Sequence, residues 1–245
     1  MEWENNSNYR VIVDNGSHMI RSGMANSRTP SITFENITAL NRKTGNLLLG
    51  DQLDQIYIEK DFMYTKPLTR GVLVNLDHEL QIWDDLLTKV MKLDGTTLSF
   101  GRLKDFMINM TFPVFIPTKL REKMIEVMFE YYGFGGFYPV VGPEMVKEYA
   151  KEQFQGNIDP RFQLVVESGH SATYIAPFFC DDLINYAIKK IDVGGRLLTN
   201  CLKQAISFRY IDLSHEYRMV NDIKEKMCYV STDFSHDMKL RYVGL

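Results

Sequence analysis

Between residues 10 and 35 apolar and polar positions alternate, with breaks at Asn15-Gly16 and Thr29-Pro30, and this period of two predicts three short antiparallel strands. From Asn36 to Thr69 the alternation weakens. Gly45-Asn46 reads as a turn, with Leu47 to Leu49 and Gln55 to Ile58 as short strands, so the segment is expected to form a small excursion from the main sheet. The period then lengthens: Leu80, Ile82, Trp83, Leu86, Leu87 and Val90 share one broad face of a helix that Asn75 or Asp77 can cap. Phe106 to Phe115 reads as a buried strand. After it, Pro117 and Thr118 open a helix that carries Met124, Val127, Met128 and Tyr131 and stops at Gly133. Strand followed by helix implies a sheet with helical cover. A short helix is expected over Pro143 to Tyr149, and Lys151 to Pro160, with its Gln, Asn, Gly and Asp, reads as a linker.

The second half repeats a phrase of the first. Val11-Ile12-Val13-Asp14-Asn15-Gly16 returns as Leu164-Val165-Val166-Glu167-Ser168-Gly169, and each is followed by a stretch that reads as a return strand, Ser17 to Gly23 and His170 to Ala176. Two hairpins result, each with a carboxylate at its bend. A glycine turn offers backbone N–H groups to an anion, and a nearby carboxylate can hold a hydrated divalent cation, so two such turns facing each other could clamp a metal-nucleoside triphosphate. Asn-Gly is also the commonest short hairpin signal, so either turn alone has an ordinary structural reading and only the pair carries weight. Beyond the second hairpin come an apolar segment (Leu183 to Val193), Gly194-Gly195, a helix from Arg196 to Phe208 and another from Ser214 to Val230. The expected organisation is a first lobe over 1–155, with its excursion at 36–69, and a second over 160–245. The second copy reaches only a hairpin, a strand and helices, so that lobe is expected to be incomplete.

With 28 basic and 31 acidic residues the 245-residue chain carries a net charge of −3, which gives no electrostatic case for direct binding to nucleic acid or to an acidic membrane. Cys180, Cys201 and Cys228 are widely spaced, with no CxxC and no histidine at zinc-ligand spacing, and are expected to be reduced, buried thiols. The polar start Glu2 to Asn8 has no signal-peptide core and no stretch approaches the length of a membrane span, so a soluble cytosolic or nuclear chain is expected.

Asp14-Asn15-Gly16-Ser17 followed by Arg21-Ser22-Gly23 resembles the first phosphate loop of the actin superfamily. Further segments are similar to actin in the same order: Arg70 to Asn75, Arg121 to Glu130, Asp192 to Thr199 and Asp222 to Val230. Within the superfamily, Gly194 to Asn200 with Leu202-Lys203 and Ile206 to Arg209, then Tyr229-Val230-Ser231 with Asp233-Phe234 and Asp237-Met238, are similar to the actin-related protein 6 subfamily. The resemblance implies an α/β, actin-like, duplicated ribonuclease-H-like fold with a mixed sheet and helices in each lobe. It also implies a nuclear, non-catalytic scaffold subunit of an SWR/SRCAP-type chromatin remodeller, which exchanges a histone variant into nucleosomes. Its implied partners are the motor and accessory subunits, with histones and the nucleosome met indirectly. A nucleotide-binding cytoskeletal protein and a sugar kinase-like phosphotransferase are the other readings of the same fold.

Carried over residue by residue, the resemblance places ATP or ADP with Mg between the two turns. Asn15, Gly16 and Ser17 would hold phosphate oxygens, Arg21 would reach the phosphates, and Ser168 and Gly169 would form the second phosphate turn. Asp14 and Glu167 would hold the metal through water, and Lys224 and Glu225 would touch the nucleoside, with a solvated helix face as the competing reading for those two. Departures from the family pattern are His18 for glycine, His170 for aspartate, Glu167 for aspartate, Tyr174 for histidine, and no glutamine around Gly142-Pro143. The groups that would orient an attacking water are thus expected to be missing, and with them hydrolysis.

Overall fold

The alternation at the start of the chain becomes β1 (Arg10–Asn15), β2 (Met19–Met24) and β3 (Ile32–Glu35), paired antiparallel in sequence order. These pairings come from a computed structural model that describes residues 9–56, 61–91, 103–154, 159, 161–207, 212–213 and 216–243. By packing, the chain divides into Met1–Arg196 and Leu197–Leu245.

In the first unit, β9 (Met107–Phe112) lies parallel beside β1, and β10 (Gly136–Val141) lies parallel beside β9, giving a mixed five-stranded sheet in the order β10-β9-β1-β2-β3. Helix α1 (Leu76–Val90) starts where the Asn75 side chain accepts a hydrogen bond from His78 N at 3.2 Å, one of the four N–H groups that a helix start leaves without an internal partner. Its Ile82, Trp83, Leu86 and Leu87 share one core with Val11, Val13, Ile20 and Phe34 of the sheet. Helix α2 (Thr118–Glu126) continues into a wider last turn, in which Tyr132 N bonds Val127 O, and ends before Gly133 at φ 71°.

The excursion holds more strand than its pattern predicts. Between β3 and α1 run β4 (Thr38–Asn41), β5 (Leu47–Leu48) and β6 (Phe62–Thr65), a small sheet in the order β5-β4-β6, then the short hairpin of β7 (Leu68–Thr69) and β8 (Val72–Leu73). Gln55 belongs to a 3₁₀ turn rather than a strand, and Tyr57 and Ile58 lie outside the described residues. β10 interrupts its apolar run with Pro139, which lacks an N–H and is tolerated because the strand lies at the sheet edge. Helix α3 (Gly142–Phe154) is longer than expected and takes up residues 151–154, which the sequence assigned to a linker; the rest of that linker lies outside the described residues apart from Asp159.

The repeated phrase forms a second sheet. β11 (Phe162–Ser168) pairs antiparallel with β12 (Thr173–Phe179), and β12 pairs on its far side with β13 (Asp182–Leu183) and β14 (Lys189–Ile191). Aligning the two bends equates Val11 and Val13 with Leu164 and Val166. The first pair is 0% exposed beneath α1, whereas Leu164 is 63% and Val166 58% exposed. Phe162 and Phe179, 70% and 47% exposed, extend the same open face. Lys147 of α3 closes the opposite face, donating to Asp181 O at 2.7 Å with its ammonium 4.9 Å from the Phe178 ring.

The second unit contains α4 (Gly195–Ser207) from its third residue on, α5 (Tyr217–Met227) and α6 (Phe234–Val243). Ser214, expected to start α5, and Phe208, expected to end α4, lie outside the described residues. α6 has no counterpart in the sequence expectation; Asp233 starts it by accepting from His236 N at 3.0 Å. The three cysteines are unpaired but exposed, which corrects the buried reading: Cys201 is on the outward side of α4, Cys180 in the β12–β13 turn and Cys228 just past α5. Among the described residues no helix is long and apolar enough to cross a membrane.

Candidate functional site

The first turn, between β1 and β2, is held from below. Asn15 N donates to Thr111 Oγ1 (2.8 Å), Thr111 Oγ1 donates to Asp14 Oδ1 (3.1 Å), and Trp83 Nε1 donates to Asn15 Oδ1 (3.2 Å). Asn36 Nδ2 donates to Gly16 O at 3.0 Å, and Asn36 N donates to His18 O at 2.6 Å. A Cβ at Gly16 would lie 2.5 Å from Met19 O, so the tightness of this turn requires glycine. Beneath it Glu79 is fully buried, and burial, partly offset by Asn15, Asn36 and Trp83, lifts its carboxyl to about 7.

The second turn, between β11 and β12, is held by the start of α4. Gly195 N donates to Gly169 O at 3.0 Å and Arg196 N to His170 O at 2.9 Å, so the turn's carbonyls satisfy the helix's first N–H groups. A Cβ at Gly194 would meet Gly169 O and His170 O at 2.7 Å, which leaves room only for glycine. Ser168 and Thr173 share a hydroxyl contact of 3.0 Å, and Thr173 Oγ1 donates to Val193 O at 2.8 Å.

The two turns meet. Ser17 Oγ and Ser171 Oγ are 2.6 Å apart, and the His18 and His170 rings stack with centroids 4.5 Å apart and planes 20° from parallel. Burial first, and then the negative charge of Asp14, push the Glu167 carboxyl above its ordinary value. Glu167 fills the space beside Gly142: a Cβ there would lie 2.7 Å from both of its carboxylate oxygens. Tyr174 is raised by burial and then by Glu167 and Asp192.

Asp14, Asn15, Gly16, Ser17, Glu167, Ser168 and Gly169 are thereby brought into one region. Arg21 is tied to its own strand pair, with Nη1 3.1 Å from Asp14 Oδ2. Lys224 and Glu225 belong to the second unit and are bound there: Lys224 Nζ donates to Thr199 Oγ1 and Asn221 Oδ1 (both 2.9 Å), and Asn221 Nδ2 donates to Glu225 Oε1 (2.9 Å). This places them in a network between α4 and α5 rather than on a purely solvated face. Thr111, Asn36, Glu79 and Ser171 complete the first region and were not singled out from the sequence; the one local signal is a glutamate on the apolar face of α1.

Two opposed hairpins on a five-stranded mixed sheet and its partial repeat are the pattern that the opening resemblance implies, and the family model described as Actin matches residues 5–219. The chain belongs to the actin family. Among relatives in that family, Actin-related protein 6 of Dictyostelium discoideum is 31% identical over 251 residues, covering 96% of this chain and 50% of the relative. Actin-related protein 6 of Arabidopsis thaliana is 30% identical over 239 residues (96% and 55%), and that of Drosophila melanogaster 28% over 238 residues (96% and 58%). The chain thus spans about half the length of the curated relatives it matches.

Actin-family folds usually bind a nucleotide. Among the described residues no group of three or more histidine, cysteine or carboxylate side chains is gathered as a metal site. Between the two turns the Ser17 and Ser171 hydroxyls and the His18 and His170 rings are in contact.

Proposed function

We propose that this chain is a non-catalytic scaffold subunit of an SWR/SRCAP-type chromatin remodelling assembly in the nucleus. A separate motor subunit hydrolyses ATP there, and the histone variant is exchanged in a nucleosome that this chain meets only through other subunits. The relatives' shared name, Actin-related protein 6, supports the reading. The structural observation that carries it is the open face of the second sheet, where Leu164 and Val166 expose the positions whose counterparts in the first sheet, Val11 and Val13, are core, and Phe162 extends the same apolar face. Exposed contiguous apolar surface of this kind suits a subunit that is covered on assembly. Two lobes, 1–155 and 160–245, are the organisation we attach to this reading.

The site favours no hydrolytic role. Asp14 has one oxygen on Thr111 and the other on Arg21, and Glu167 is wedged beside Gly142, so neither carboxylate is poised to deprotonate a water. Asp14 and Glu167 are read as a water-mediated cation pair. Affinity purification of the tagged chain from nuclear extract, with mass spectrometry, tests the proposal: recovery of a Swi/Snf-type motor with histone-exchange subunits is expected. ATP-dependent sedimentation as filaments, or sugar-dependent ATP consumption, would favour the cytoskeletal or phosphotransferase reading instead.

A further inference from the structure

We infer that Ser17, His18, His170 and Ser171 form a latch that joins the two turns directly and fills the space a nucleotide polyphosphate would need, so that the protein's own side chains close this site. The inference deepens the scaffold reading and rests on its assignment of both turns as the family's phosphate turns.

The distances decide it. Two hydroxyls that hydrogen-bond the same phosphoryl oxygen, each at about 2.8 Å, sit roughly 4–5 Å apart, and further if they bond different oxygens. Ser17 Oγ and Ser171 Oγ are 2.6 Å apart, in contact with each other. On the same two turns the imidazoles stack at 4.5 Å, within the separation of an offset aromatic pair.

The backbones of both turns are also held from behind. His18 O accepts from Asn36 N, and His170 O accepts from Arg196 N. Gly16 O is held by Asn36 Nδ2, and Gly169 O by Gly195 N. With both backbones held, the contact between the turns is carried by four side chains, and releasing it takes movement of both the serine and the histidine pairs. Admitting a phosphate would require breaking the serine contact and unstacking the rings between backbones that Asn36 and the start of α4 hold in place. Arg21, on the strand that leaves the first turn, is paired with Asp14 at 3.1 Å.

The test uses the whole chain. In Ser17→Cys/Ser171→Cys, mild oxidation is expected to join the two introduced thiols almost completely, with peptide mapping to separate this link from Cys180, Cys201 and Cys228; millimolar MgATP is expected to leave the yield unchanged. In parallel, a fluorescent ATP analogue with Mg is titrated into wild type, His18→Gly, His170→Gly and the double variant. The double variant is expected to bind at least about ten-fold tighter than wild type, with each single change giving less than half of that gain on a logarithmic scale, a response that a merely structural histidine would not produce. Absence of the disulfide overturns the inference, as does its suppression by MgATP or a folded double variant that binds no better than wild type. If the glycine variants do not fold, the disulfide yield with and without MgATP decides alone. Failure of the chain to join a remodeller would leave these readouts unchanged, so the two proposals fail separately.

Discussion

Replacing Glu79 by glutamine isolates the cost of one buried carboxyl. Glu79 is 0% exposed on the inner face of α1; its Oε1 accepts from Asn36 Nδ2 at 3.3 Å, while its Oε2 and the Asn36 Oδ1 carry no hydrogen bond. Burial raises its carboxyl from 4.5 to about 7. The folded state therefore binds a proton that the unfolded state releases between those values. Stability from this group is fully present below about pH 4.5 and is lost as pH rises through about 7, a total of roughly 3 kcal/mol at 1.36 kcal/mol per unit. A glutamine stays neutral at every pH, and its amide can donate to the orphaned Asn36 Oδ1. Glu79→Gln is expected to be about 1–3 kcal/mol more stable than wild type near pH 8 and about equal to it near pH 5. Urea unfolding followed by tryptophan fluorescence and circular dichroism across that range measures the difference. Asp84 and Glu167 are also raised and slope in the same direction, so the quantity read is wild type minus variant. Parallel pH profiles for the two proteins would refute the reasoning.

The internal repeat allows a paired test: Val13→Ala should cost about 1.5–3 kcal/mol because the side chain is fully buried, whereas Val166→Ala at the matching position should stay within about 0.5 kcal/mol, and equal losses would contradict the open face. Gly194→Ala forces a Cβ against two carbonyls that α4 also uses, and should destabilise by about 1–3 kcal/mol with faster amide exchange at Gly195 and Arg196; unchanged exchange would count against the close approach. Lys147→Ala removes the donor to Asp181 O and the cover over Phe178, with an expected loss of about 1–3 kcal/mol by urea unfolding, and a loss below about 0.5 kcal/mol would show that the buried ammonium contributes nothing net.

Some of this was legible along the chain and some could not be. α1 was clear because six apolar residues fall at helical spacing behind an asparagine cap, and both hairpins were clear because alternation stops at a glycine turn. β4 and β6 are four-residue strands whose burial depends on pairing with each other, so neither carries enough period to be seen alone. β10 hides behind Pro139, and α6 has almost no apolar stripe to give it away. In the candidate region Asp14 and Glu167 stood out by their place at the bends. Thr111, Asn36 and Glu79 reach the first turn only through the fold, from positions whose local sequence carries no instruction to do so. The stacking of His18 on His170 is likewise tertiary, since the sequence could mark each as a departure from a family pattern but could not say that the two meet.

The proposed scaffold role assigns the open face of the second sheet to contact with the other subunits of a remodeller. Its most direct test is affinity purification from nuclear extract of the tagged wild type beside Leu164→Lys/Val166→Lys, two changes at exposed positions that should leave the fold intact by circular dichroism. A Swi/Snf-type motor and its histone-exchange partners are expected to come with the wild type and to be depleted at least about ten-fold with the variant, the effect expected when charge enters an apolar interface core. Equal recovery of those subunits by both proteins, or recovery of none by either, would contradict it.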